Sequence, residues 1–89
     1  MSGGHFDYDQ NRISNIVSSI EELIEANDTA EYPFTSQTIE KFRKAVHLLK
    51  IAYTYAQRID WLVSADDDEE SFHVRLEKEL AKISLDKQV

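Results

Sequence analysis

The chain has no cysteine, two glycines, one proline and one tryptophan among its 89 residues. Each scarcity excludes something. Without cysteine, neither a disulfide nor a thiolate metal site can staple a chain this small, so its stability has to come from packing. No apolar run approaches the roughly 18 residues that suggest a membrane span. The opening MSGGHFDY has neither a basic nor an apolar segment, so no signal peptide is expected and the expected location is cytoplasmic. No GxSxG, P-loop or GxGxxG is present. No two histidines stand at i, i+4, so a helical zinc site is not indicated. His5 stands too far along for an N-terminal copper site. The acidic run Asp66–Glu70 lacks the alternating carboxylates, glycine and distant glutamate of a calcium loop; it reads as a solvated cap cluster at a helix start. No metal and no cofactor is expected.

An excess of positive charge is also missing. The net charge is −7, which argues against direct nucleic-acid binding and against an anionic membrane. Its distribution says more than its total. Residues 1–34 carry seven acids and one base, residues 35–64 two acids and five bases, and residues 65–89 eight acids and four bases. A basic middle is flanked by two acidic ends, so part of the acidity is expected to be matched inside the fold.

The middle is the dominant feature. From Ser36 to Ser64 there is no Gly and no Pro. Ile39, Phe42, Val46, Leu49, Tyr53, Ala56, Ile59 and Val63 recur in steps of three and four, the spacing of one helical stripe. A second row, Ala45, Leu48, Ala52, Tyr55, Ile59 and Leu62, widens it beyond the face of an ordinary surface helix. Such a helix would run roughly 40 Å. Before it, Ile13, Ile16, Val17, Ile20, Leu23 and Ile24 mark a first helix. Asp7-Tyr8-Asp9-Gln10 has the form of a capping box at its start, and Asn27-Asp28-Thr29 ends it. Pro33 holds Tyr32 extended, and Thr35 or Ser36 caps the long helix. After the acidic turn, Phe72, Leu76, Leu80 and Ile83 mark a third helix. His47, between Val46 and Leu48, reads as a packed or interfacial residue.

The expectation is an all-α single domain over residues 1–89. It is a three-helix antiparallel arrangement around a long central helix, with helices at about 9–27, 36–64 and 68–85. The first helix is expected along the first part of the central one and the third along its last part. Because each is shorter than the central helix, part of its apolar face should stay uncovered, which favours an oligomer.

Antiparallel packing would gather the chain's unusual residues at one pole: His5, Tyr8, Tyr55, Arg58, Asp60, Trp61 and His73. There Arg58 could clamp a carboxylate or phosphate, with Tyr8, Tyr55 and Trp61 stacking on a planar ligand. His5 and His73 could exchange protons, and the backbone at Gly3 and Gly4 could approach an anion. The structural reading is simpler. Arg58 ties to Asp7, Asp9 or Glu70 between helices, and the aromatics fill the core or an interface. Asp60 lies in the last turn of its helix, where a carboxylate is disfavoured; it calls for a partner such as Arg12, Arg75 or His73. No nucleophile, base and orienter can be assembled from spacing, so no catalytic residue is assigned and no enzyme is expected.

The opening Ser2-Gly3-Gly4-His5-Phe6-Asp7-Tyr8 resembles the start of a group of small bacterial and bacteriophage proteins. The stretch Tyr55-Ala56-Gln57-Arg58-Ile59-Asp60-Trp61-Leu62, followed by Asp67-Asp68-Glu69-Glu70-Ser71-Phe72-His73, is similar to the same group. The resemblance brings no activity and no catalytic residue. It implies a phage or mobile-element setting, where small acidic helical proteins often block a host protein or sequester a small ligand. Three functions follow as expectations. The first is a non-enzymatic protein-interaction module that inhibits a host or defence protein and also self-associates. The second is a binder of an anionic, nucleotide-like molecule at the Tyr8/Arg58/Trp61 pole. The third is an acidic DNA mimic, weakened by the basic middle segment.

Overall fold

The computed structural model describes residues 6, 8–64 and 67–87, with side chains as far as residue 83. Three helices follow in order: α1 (Gln10–Asn27), α2 (Ser36–Val63) and α3 (Glu69–Lys87). The expected all-α, three-helix antiparallel arrangement around a long central helix is what the chain adopts. The bounds differ from the sequence expectation by one residue at three ends and by two at the end of α3. No helix among the described residues is long and apolar enough to cross a membrane.

Local chemistry sets the helix ends. Thr35, in extended conformation, accepts the Thr38 N–H on its hydroxyl oxygen at 3.3 Å and so caps α2. Asp68 does the same for α3, accepting the Ser71 N–H at 2.8 Å. Between α1 and α2, the Asn27 amide grips both backbone groups of Phe34: its oxygen accepts the N–H at 2.8 Å and its nitrogen donates to the carbonyl at 3.3 Å. The Phe34 ring then meets Phe42 edge-on, 5.6 Å between centroids. The start of α1 departs from the capping box. Asp9 makes no side-chain cap, Asp7 lies outside the described residues, and the Gln10 side chain turns into the interior. Tyr8 enters the helix with φ at 62°, in the left-handed region that ordinarily costs a residue with a Cβ about 1–2 kcal/mol. It occupies the third position of a turn closed by the Asp9 N–H donating to the Phe6 carbonyl at 3.0 Å.

Among the described residues, both outer helices pack on α2 and not on each other. The register is fixed by Gln10 against Gln57 and Asp60 and by Glu21 against Lys50, 3.5 Å apart. This corrects one expectation. α1 lies along the middle and last part of α2 rather than its first part, while the 28–35 connection covers the beginning, where Ile39 is buried. α3 is held beside the same last part through Arg58 and Glu79. The principal extents are 50 × 27 × 13 Å. An elongated three-helix molecule encloses little core: Val17, Ile39, Val46 and Leu76 are the buried apolar residues among those described.

The central helix has two unlike sides. At about 100° per residue, α2 meets α1 along Val46, Tyr53 and Gln57 and meets α3 near Thr54 and Arg58. The row Leu48, Ala52, Tyr55, Ile59 points away from both. The Lys50–Glu21 pair closes the α1–α2 seam on the α3 side, so Ile16 and Leu23 of α1 turn to the same side as the uncovered α2 row. Ile16, Leu23, Leu48 and Val63 are each more than half exposed. The expected uncovered strip is therefore present and extends onto α1.

Two positions on α3 test this division. Leu76→Ala should lower stability by about 2–4 kcal/mol, because it empties a buried site that neighbours cannot refill. Val74→Ala, at a half-exposed position two residues away, should change it by no more than about 0.5 kcal/mol. Urea unfolding followed by circular dichroism measures both; equal losses would contradict the assignment of the core.

Candidate functional site

The last two turns of α2 gather polar groups on two flanks. On the α1 flank, the Gln10 amide donates to Gln57 Oε1 at 2.8 Å and to Asp60 Oδ2 at 3.0 Å. Gln10 is buried and Asp60 fully so. A buried carboxylate needs hydrogen-bond donors to offset its lost hydration, and Gln10 supplies one. Asp60 was expected to pair with Arg12, Arg75 or His73. Instead Arg12 pairs with Asp9 on the surface at 3.6 Å, Arg75 with Asp67 at 2.7 Å, and His73 is exposed.

On the α3 flank, Arg58 is the centre. Its guanidinium lies 3.2 Å from Asp67 Oδ2 and 2.9 Å from Glu79 Oε2, and it covers the Trp61 ring, 4.1 Å from the centroid. The Asp67 side chain is only 2% exposed and also takes Arg75 at 2.7 Å. Two guanidiniums and two carboxylates balance in charge. Asp67, the turn residue, thus ties α2 and α3 together across the acidic connection. The expected partners of Arg58, namely Asp7, Asp9 and Glu70, are replaced by Asp67 and Glu79 (Asp7 is outside the described residues). The acidic run is also not uniformly solvated: Asp67 is sealed in, while Asp68 is spent on the cap.

Of the seven residues expected at this pole, Arg58 and Trp61 come together, while Asp60 lies on the other flank of α2 with Gln10. Tyr55 is exposed on the uncovered row of α2, away from the Arg58 cluster. His73 is exposed on α3, edge-on to Phe72 at 5.2 Å. Tyr8 is about half exposed at the mouth of α1. His5 lies outside the described residues. Four participants were missed: Gln10, Gln57, Asp67 and Glu79. Spacing held a signal for three of them. Gln10 is three residues before Ile13 and seven before Val17; Gln57 is four after Tyr53; Glu79 is three after Leu76. Each stands on its helix's buried stripe, where a polar residue implies a polar partner.

Among the described residues no group of three or more histidines and acids is placed to hold a metal ion. The arrangement fastens helices: Arg58 meets two carboxylates and an aromatic face. Asp67→Ala should therefore cost about 1.5–3 kcal/mol, since it removes one of the two carboxylates that match a buried guanidinium and leaves Arg58 with Glu79 alone. Adding Arg58→Met should recover part of that loss, a non-additivity that denaturant titration of the four proteins of the cycle measures.

Acid dependence follows from Asp68. Its carboxyl titrates below the usual 3.8, first because it accepts the Ser71 N–H. A depressed folded-state pKa stabilises the fold fully above 3.8, and that contribution is lost as pH falls through the lower folded value. Asp68→Asn keeps a capping oxygen without the titration, so its stability should fall less steeply below pH 3.8 than the parent's; identical acid profiles would refute the assignment. Comparisons with family models, curated proteins and solved structures return no match for this chain.

Proposed function

We propose that this chain is a non-enzymatic protein-interaction module, encoded by a phage or mobile element, that binds and inhibits a host or defence protein. The observation that carries the reading is the outer row of α1 continued by the connection: Ile16, Leu23, Tyr32 and Phe34 are each more than half exposed. So many large apolar side chains left in water on a small chain mark a contact surface. Asp28 and Glu31 stand exposed along its border. The chemistry suits a partner offering an apolar groove with a basic rim.

Sequestration of a nucleotide-like anion at Tyr8, Arg58 and Trp61 is the second reading, and it has less support. Arg58, the cation that would clamp the anion, is already matched by Asp67 and Glu79, so an incoming phosphate would have to displace a nearly buried carboxylate. DNA mimicry needs a continuous acidic field, and the basic α2 interrupts it.

Co-purification of the tagged chain from a bacterial lysate tests the first reading. One protein should be retained with the parent chain and lost with the Leu23→Glu/Tyr32→Ala variant, while circular dichroism shows unchanged helix. Retention by both chains, or nothing above background with either, would count against it. A nucleotide panel in a thermal-shift assay should leave the melting temperature unmoved; saturation at a hundred times Kd would otherwise stabilise by about 2.7 kcal/mol.

A further inference from the structure

The uncovered row of α2 adjoins the Ile16–Leu23 row of α1 on the same side of the molecule, and its pattern says what covers it. Ala45, Leu48, Ala52, Tyr55, Ile59 and Leu62 follow one another at steps of three, four, three, four and three. This is the seam spacing of a two-stranded coiled coil, where apolar residues average every 3.5 positions. The steps read the same in either direction. When an identical helix is laid antiparallel on the seam about a two-fold axis between Tyr53 and Thr54, Ala45 meets Leu62, Leu48 meets Ile59 and Ala52 meets Tyr55. In two of the three pairs a small residue faces a large one, the alternation that lets layers interdigitate without voids.

Charge agrees with the same register. Lys41 and Lys44 are exposed near the start of α2, and Lys41 stands on the seam side by helical spacing. The two-fold brings Lys41 of each copy to the level of the other's acidic turn, where Asp68, Glu69 and Glu70 are exposed. A parallel pairing would instead set lysine beside lysine.

We infer that the seam of α2, Ala45 to Leu62, is the site at which a second copy of this chain binds antiparallel about a two-fold axis. The pair is isologous, so every contact occurs twice, and it leaves the Ile16–Leu23 row of α1 at its edge. The inference does not depend on the identity, or the existence, of a host partner.

Sedimentation equilibrium at tens of micromolar should give twice the 10.3 kDa chain mass. The Leu48→Glu/Ile59→Glu variant should sediment at the chain mass with its helical circular dichroism intact. Lys41→Glu should weaken the dimer at least severalfold in Kd at low salt. Direction is read by crosslinking, which is clean because the parent chain has no cysteine. An equimolar mixture of Leu48→Cys and Ile59→Cys chains should form a disulfide on oxidation faster than either variant alone. A monomeric parent at about 100 µM, well above any useful affinity, overturns the inference. So does faster crosslinking of either variant with itself. If the parent is monomeric but the Leu23→Glu/Tyr32→Ala variant still loses its lysate partner, the dimer is wrong and the interaction module stands. If the parent is dimeric and no partner is found, the reverse holds.

Discussion

The contact on which the rest of the structure leans is the pair Arg58–Asp67. Among the described residues α1 and α3 do not pack on each other, so α3 is held by what it shares with the end of α2. Burying a guanidinium there without an opposite charge would cost several kcal/mol. Asp67 lifts that cost from inside the turn, at 3.2 Å, and Glu79 joins from the third turn of α3. The direction in which α3 leaves the turn is fixed by two ion pairs and one aromatic face, with Leu76 supplying the apolar part. Gln10 plays the smaller, uncharged counterpart on the other flank.

This arrangement explains why a concentration of Arg, Trp, Asp and Gln in two turns of helix serves attachment. A ligand pocket keeps some of its polar groups unmatched until the ligand arrives. Here the cation meets two anions and the buried carboxylate meets an amide. The groups left facing water in number are apolar, and they lie on the far side of α2 and α1. The residues that look most like chemistry and the surface that looks most like recognition are therefore different parts of the molecule.

Much of the fold was legible in the sequence. Helical periodicity without Gly or Pro specified α2, Thr35 and Asn27 marked real ends, and the surplus of apolar positions on α2 foretold an uncovered row. The register of α1 was not legible. Its stripe satisfies several alignments against a long, evenly apolar helix, and the choice was made by Gln10 reaching Asp60. The pole was legible as a place but not as a set of partners. Asp7, Asp9 and Glu70 competed with Asp67 on equal terms in sequence, and only the path of the turn, which folds Asp67 inward, separates them. Gln10 was misread because D-x-x-Q near a helix start has two physical uses, as a cap and as a buried polar contact; the position of Gln10 on the Val17 stripe favours the second.

Because the outer helices pack on α2 and, among the described residues, not on each other, each can leave α2 without breaking what holds the other. Native-state hydrogen exchange should then resolve two opening events of different free energy, one for α1 and one for α3, rather than a single global one. Substitutions on opposite flanks of α2 should add, while those within one flank should couple. In this respect the chain behaves less like a globule with one core than like a short stack, in which each interface is a separate term and α2 is the member common to both.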